Sequence, residues 1–310
     1  MIQLALTDWR PPARPEHVAA PIVKWVGGKG RLLPELLARV PWAFGRYFEP
    51  FAGGAALFFA LRPERATLGD ANADLIWLYR ALVEDVEGAI GGVRVHERLH
   101  TEAHYYATRE AWNARAWDGE PLARAAAMVY LNRACFNGLW RVNASGDMNA
   151  PIGRRADGEL HRLEVDAERL RAASQALARA ELHAGDYRAA LRGARAGDFV
   201  YFDPPYDGTF TSYTAGAFGP DEQCELAAVV RRLIRRGVRV MLSNADTPRV
   251  RELYAGLWID VVQRPGTVSC AGARRQAVDE VIVCGGYDPG GGPGERRATN
   301  AAARGEKARG

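Results

Sequence analysis

Residues 200–208 read VYFDPPYDG. The preceding FVYF is a short apolar run of the kind that forms a buried strand, and it delivers one carboxylate, Asp203, at its carboxyl end. Pro204 and Pro205 then fix the backbone φ and remove two N–H donors, which leaves the local carbonyls as acceptors. An aromatic ring, Tyr206, follows. This combination suits an exocyclic amine held between acceptors while the ring that bears it stacks on a phenol. The alternative is a tight turn with no chemical role.

Outward from this strand the chain alternates between two periodicities. Strand-like runs stand at RYFE (46–49), ATLG (66–69, ending at Asp70), AELHA (180–184), FVYFD (199–203), VRVMLSN (238–244), LWIDVVQ (257–263) and AVDEVIVC (277–284). A helix is predicted from Gly54 to Leu61, and ELAAVVRRLIRR (225–236) reads as an amphipathic sheet-covering helix with a basic outer face. Strands separated by helices predict a largely parallel sheet in a doubly wound, Rossmann-like α/β domain. Roughly one hundred residues separate Asp70 from Ala180, far more than the two to six of an ordinary connection. Their periodicity is helical in LIWLYRALV, EAHYYATREAW and ARAAAMVYLNRACF, so a mostly helical domain is expected there. The predicted organisation is an N-terminal extension at 1–20, a catalytic domain split between 21–74 and 180–285, an insert at 75–179 and a disordered tail at 286–310.

YFEPFAGGAALFFAL (47–61) places a small-residue turn between a strand and a helix, where α/β domains bring backbone close to a nucleotide-like ligand. It is not GxGxxG, and GGKG at 27–30 is not a phosphate loop, because Val23 and Gly30 stand where glycine and Ser or Thr are required. Asp70 follows the turn by about twenty residues, where an acid accepts hydrogen bonds from a ribose diol. Turn and acid indicate an adenosine-containing ligand. A dehydrogenase has the same acid, and a structural turn with a helix cap remains the alternative.

The 310 residues are 48% hydrophobic and 25% charged, which excludes disorder, collagen and fibre. No apolar run is long enough to span a membrane and no signal peptide opens the chain, so a cytoplasmic location is expected. Cys135, Cys224, Cys270 and Cys284 are too dispersed for a zinc site or a disulfide framework and read as reduced and structural. His17, His96, His100, His104, His161 and His183 lie outside the motifs. His100 and His104 are expected on one helical face, but without the glutamate of HExxH, so packed or solvated roles and no metal are expected. Ser243 and Ser269 lack a GxSxG elbow.

The net charge of +4 is unremarkable, but its distribution is not. Residues 131–155 carry Arg133, Arg141, Arg154 and Arg155 against Asp147, together with Asn132, Asn137, Asn143 and Asn149, half of the eight asparagines. Arg and Asn suit phosphates and purine edges, which makes this stretch a candidate nucleic-acid surface; a solvated loop with turn-forming Asn is the other reading. Lysine occurs only at 24, 29 and 307, so two of three fall in PIVKWVGGKG. Chance aside, positions 24 and 29 need a compact ammonium.

Together, DPPY at 203–206, FAGG at 51–54, KWVGGK at 24–29, YLNRACFNGLWRVNASGDMNAPIGR at 130–154 and LSNAD at 242–246 resemble the Dam-type, D12 class DNA adenine-N6 methyltransferases. The resemblance covers about residues 21–285. DPPY alone also admits cytosine-N4 enzymes and the NPPY methylases of protein and RNA, and a recognition subunit that has lost transfer activity is a rival from another class. The resemblance implies an S-adenosylmethionine-dependent enzyme with an inserted target-recognition domain. Trp25, Lys29, Asp70 and Asp203 would contact the cofactor above a turn formed by Phe51 and Gly53. Asp203, Pro204 and Tyr206 would carry catalysis, and Lys24, Phe136, Asn137, Leu139, Arg141, Pro151 and Arg154 would face double-stranded DNA, the site being a short palindrome with GATC as first choice. A monomer is expected, and a cognate restriction endonuclease is a candidate partner. One departure stands out: Ala55 replaces the last glycine of the family turn, a methyl that either crowds the cofactor or fits a helix start.

Overall fold

The side chains of the central strands are apolar at both parities, so each strand must bury two faces. Tyr47, Phe199, Tyr201, Met241, Ile282 and Cys284 enter one core, while their neighbours Phe48, Val200, Phe202, Val240, Leu242, Val281 and Val283 enter the other. In the computed structural model, which describes residues 19–208, 218–262 and 279–290, these strands form one seven-stranded sheet. Its members are β1 (Tyr47–Glu49), β2 (Ala66–Asp70), β3 (Ala180–Ala184), β4 (Phe199–Phe202), β5 (Arg239–Ala245), β6 (Trp258–Val262) and β7 (Glu280–Gly285). Their order is β3-β2-β1-β4-β5-β7-β6. The first five pair in parallel, whereas β7 runs antiparallel to both β5 and β6. Alternation looks the same in either direction, so this reversal could not be read from the strand patterns.

Helices cover both faces. α1 (Leu33–Arg39), α2 (Ala56–Leu61), α3 (Ala73–Glu84), α4 (Val86–Arg98), α5 (Glu102–Asn113), α6 (Pro121–Ala134) and α7 (Ala167–Leu177) feed the first core. α8 (Tyr187–Ala190), α9 (Pro220–Arg235) and α10 (Pro248–Leu253) feed the second. α9 buries Leu226, Ala227, Val229, Val230 and Leu233 and turns its arginines outward, the amphipathic arrangement expected of ELAAVVRRLIRR. Side-chain caps start several helices: Asn72 accepts from Asp74 N, Thr101 from His104 N and Asp166 from Arg169 N, each a bond whose loss costs about 1 kcal/mol.

α6 is buried around nearly its whole circumference and forms the axis of the helical segment. Its one deep cation, Arg124, is satisfied by Asp74 at 2.7 Å and Asp118 at 2.9 Å and lies 4.3 Å from the Trp112 ring centroid. The first core runs without a break from the sheet through α6 to Trp140, Met148 and Ile152 beyond it.

Three expectations change. His100 and His104 do not share a helix, because α4 ends at Arg98 and Thr101 caps the next one. They gather instead with His96 around Tyr130: His96 Nδ1 lies 3.0 Å from His104 Nε2, and His100 Nδ1 lies 2.9 Å from the Tyr130 hydroxyl. Burial and then His104 hold His96 down at about 4, a packed neutral ring. Cys224 is exposed, unlike Cys135 and Cys284. Tyr287, counted with the tail, docks against Phe199, and its hydroxyl donates to Arg39 O at 2.8 Å. His17, Ser269, Cys270, the extension up to residue 18 and the tail from residue 291 lie outside the described residues. Among the described residues no helix is long and apolar enough to cross a membrane, and no cluster of His, Cys, Asp or Glu is arranged to hold a metal ion.

Candidate active site

The strand order reverses between β1 and β4, and in an open α/β sheet such a switch point leaves a crevice at the carboxyl ends of the strands. Those two ends carry Glu49 and Asp203. Both line a cavity of about 690 Å³, with Trp25, Lys29, Gly53 and Asn132 among its other walls.

The floor is the FAGG turn. Gly53 has φ +48°, and a Cβ there would lie 3.2 Å from Trp25 Cδ1, so the indole occupies the space a side chain would need. Both peptide groups of Gly53 are held: its N–H donates to Asp70 Oδ2 at 2.8 Å and its carbonyl accepts the Tyr79 hydroxyl at 2.5 Å. Asp70 Oδ1 accepts Asn72 N–H at 2.7 Å. Asp70 thus ties the turn through one oxygen and the start of α3 through the other, while Phe51 turns toward Tyr187 and Phe218 in the second core. Ala55 is left-handed, with φ 53° and ψ 40°, and forms the N-cap of α2 with its methyl buried. The methyl fits the helix start, in a conformation that costs an L-residue about 1 to 2 kcal/mol.

At the opposite wall, Lys29 Nζ donates to Asp203 Oδ1 at 2.7 Å and to Gly27 O at 2.6 Å, and stands 4.8 Å from the Tyr206 ring centroid. Ser243 also donates to Asp203 Oδ1 at 2.8 Å, and the Tyr201 hydroxyl lies 2.9 Å from Ser243 Oγ. Two donors therefore occupy Oδ1, and among the described residues Oδ2 takes no hydrogen bond. Desolvation holds the Asp203 carboxyl above the usual carboxylate range, opposed by Lys29 and Ser243. The Asp203 side chain is only 17% exposed.

The loop after Asp203 is fastened from behind. Pro205 O accepts Gln223 Nε2 at 2.8 Å, Gln223 Oε1 accepts Asn244 Nδ2 at 3.1 Å, and Asn244 Oδ1 accepts Asp207 N–H at 2.9 Å. Asp207 itself takes the Thr247 hydroxyl and Arg249, both at 2.7 Å. Of the two proline carbonyls, Pro205's is engaged, while Pro204's takes no hydrogen bond among the described residues. Tyr206 donates to Glu280 Oε2 at 3.1 Å.

Lys24, Phe136, Asn137, Leu139, Arg141, Pro151 and Arg154 are all exposed, whereas their neighbours Trp140, Ala150 and Ile152 are buried. Phe136 and Leu139 are 52% and 48% exposed, large apolar side chains left in solvent. Antiparallel bridges Cys135–Ile152 and Val142–Met148 close this stretch into a hairpin. Arg141 Nε donates to Asn149 Oδ1 at 2.8 Å across it, and Arg154 pairs with Glu102 at 2.6 Å.

Glu49 escaped the reading of the sequence. It is 2% exposed, and its Oε2 accepts the Tyr47 hydroxyl at 2.8 Å and Phe58 N–H at 3.2 Å. Burial, opposed by the Tyr47 hydrogen bond, raises its carboxyl from 4.5 to about 8. Its position at the strand end, directly before the FAGG turn, was the available signal. Gln223 lay outside every motif, and LSNAD marked Ser243 and Asn244 without giving them a role, since each acts through a partner far away in sequence.

A doubly wound sheet that brings a glycine turn, an acid and a DPPY loop to one crevice defines an α/β methyltransferase acting on an amine. The chain belongs to the D12 class N6 adenine-specific DNA methyltransferases, whose sequence model matches residues 25–265. It is 36% identical over 271 residues to the Type II methyltransferase M1.LlaDCHI of Lactococcus lactis subsp. cremoris, covering 85% of this chain and 94% of that one. It is 32% identical over 281 residues to the DNA adenine methylase of Escherichia coli strain K12, covering 86% and 95%. The Type II methyltransferase M.MjaIII of Methanocaldococcus jannaschii is 32% identical over 287 residues, covering 85% and 98%. The protein is thus an adenine-specific DNA methyltransferase, and neither a cytosine-N4 enzyme nor a silent recognition subunit describes it.

Proposed function

We propose that the methyl donor is S-adenosylmethionine, held in the crevice cavity, and that the acceptor is the adenine of a short palindromic duplex site, with GATC as first choice. The observation that carries this reading is Asp203: Oδ1 is taken by Lys29 and Ser243, and Oδ2 is left for a substrate. The wall residues fit the cofactor. The cavity volume falls within the range of small-molecule sites, the left-handed Gly53 leaves bare backbone beneath it, and Trp25 offers an aromatic face.

When bound, S-adenosylmethionine supplies an electrophilic methyl group on a cationic sulfur. The protein's task is to present the amine to it. Adenine inside a duplex has its amine paired, so the base must leave the stack, and Tyr206 provides the ring on which it stacks. Asp203 Oδ2 and the Pro204 carbonyl accept the two amine hydrogens and turn the nitrogen lone pair toward the methyl. The engaged Pro205 carbonyl fixes the loop that carries Pro204. Positioning and preorganised acceptors do most of the work, because the methyl is already activated. Residues 75–179 supply recognition, with Phe136, Asn137, Leu139, Arg141, Pro151 and Arg154 facing DNA beside Lys24 of the catalytic domain, and Trp25, Lys29, Phe51, Gly53, Asp70 and Asp203 form the cofactor side. A lysine donor suits guanine O6 and N7, and Leu139 and Pro151 suit a thymine methyl.

The test is transfer of labelled methyl from S-adenosylmethionine to duplex DNA, followed by nucleoside analysis and by digestion with an endonuclease blocked by methylated GATC. Label in N6-methyladenine with protection from cleavage is expected. Complete cleavage alongside incorporation overturns GATC and leaves the chemistry; no incorporation overturns the donor.

A further inference from the structure

Lys24 stands in the cavity wall beside Trp25, yet its backbone is held by a residue of the hairpin side. Asn132 Oδ1 accepts Lys24 N–H at 2.8 Å, while Nδ2 donates to Lys24 O at 2.8 Å and to Gly138 O at 3.3 Å. One amide group thus pairs with both polar groups of a single residue, as a neighbouring strand would, and reaches the first turn of the hairpin as well. Asn132 is 1% exposed, so water does not compete for these bonds.

Two further contacts lock the same segments together. Asn137 and Gly138 are both left-handed, with φ 57° and 66°, and a Cβ on Gly138 would collide with Lys24 Cδ and lie 3.3 Å from Lys24 Cβ and Cγ. The lysine stem therefore runs across bare backbone. One residue on, Trp25 stacks on Trp140 with centroids 6.2 Å apart and planes at 27°, and Trp140 sits between Leu139 and Arg141.

We infer that Asn132 is a positioning residue for sequence discrimination, setting Lys24 in register with the hairpin side chains so that all read one DNA site as a unit. This rests on the reading of Lys24 as a guanine contact. The physical need is plain: lysine is a point charge on a flexible four-carbon stem, and it discriminates between bases only if its root is fixed and its stem confined. Aspartate at 132 would keep the acceptor and lose both donors, so the amide is required.

The experiment compares Lys24→Ala, Asn132→Ser, their double variant and Gly138→Ala in the full chain. The site methylated by the unaltered protein is first read from plasmid DNA. The ratio of kcat/KM on that site to kcat/KM on a duplex with its guanine pair replaced is then measured, with thermal melting as the check on folding. Asn132→Ser is expected to lower this ratio about tenfold, with the double variant no worse than Lys24→Ala, because both remove the same contact. Gly138→Ala, which displaces the stem and leaves Asn132 intact, should lower it too; if Asn132→Ser fails to fold, Asn132→Thr, which fills more of the space and still cannot pair with both backbone groups of Lys24, decides the matter by the same ratio. The inference is overturned if the folded variants keep the ratio while Lys24→Ala loses it, or if they lose activity on both duplexes in equal proportion. An unchanged ratio in Lys24→Ala overturns the reading of Lys24 itself.

Discussion

Lys29 Nζ lies 2.7 Å from Asp203 Oδ1, so the lysine of KWVGGK and the acid of DPPY form one ion pair across the crevice. Lys29 is 9% exposed as a whole residue, and the pair is shielded enough that removing either partner strands the other. It also fixes the orientation of the carboxylate, since the oxygen that Lys29 and Ser243 share is not the one left for the amine.

Both Asp203→Asn and Asp203→Ala remove the charge that faces Lys29, but Asp203→Asn is the cleaner probe because its amide oxygen still accepts from Lys29 and Ser243. Both should lower the transfer rate by on the order of a hundredfold or more through loss of a preorganised acceptor. Steady-state methylation of a duplex, with circular dichroism to verify folding, checks this. Near-normal turnover by either folded variant contradicts the role assigned to Asp203.

Tyr206→Ala should weaken binding of the extruded base by about 1 to 3 kcal/mol, the range for a base stacked on an aromatic ring. Tyr206→Phe removes only the hydroxyl that donates to Glu280 and should retain most of that binding. A fluorescent base analogue at the target position reports extrusion. Equal loss in both variants would mean that the hydroxyl, not the ring, matters.

Glu49 gives a pH signature. Its carboxyl is raised from 4.5 to about 8 when folded, so between these values the native chain holds a proton that the unfolded chain releases. Its contribution to stability is complete below the unfolded value and is lost as pH rises through the folded one. Glu49→Gln cannot titrate, and its stability relative to the unaltered protein should therefore rise across this window. Urea midpoints at the two ends measure it, and parallel profiles for the two proteins would refute the assignment.

Ala55→Gly should leave stability within about 1 kcal/mol. Relief of the left-handed methyl, about 1 to 2 kcal/mol, is offset by the entropy of an added glycine and the loss of one buried methyl. Ala55→Val, overpacked and branched at Cβ, should cost about 2 kcal/mol or more. Thermal unfolding compares the two, and a tolerated valine would show that the helix start has room.

Arg141→Ala should cost about 1 to 3 kcal/mol of discrimination at one base pair and little elsewhere. Its bond to Asn149 lies on the hairpin surface, so the fold should persist. Competition between duplexes that differ at single positions reads the effect; a uniform loss across all of them points to a phosphate contact instead.

The sequence by itself determined the strands and their flanking turns, because alternation, proline and glycine act on the backbone within a few residues. FVYFD ends in Asp203 and ATLG in Asp70 for local reasons, and DPPY and FAGG carry the family resemblance that implies the chemistry. Only the tertiary structure decided the antiparallel course of β7, the buried acid at Glu49, the sharing of Asp203 Oδ1 and the span from Asn132 to Lys24. Each of these joins residues whose separation leaves no periodic trace. An ion pair or a buried amide is specified by where two chain segments pack, and packing depends on both cores at once. Chemistry carried by adjacent residues was therefore legible, while the orientation of that chemistry depended on contacts closed only by the sheet and the helices around it.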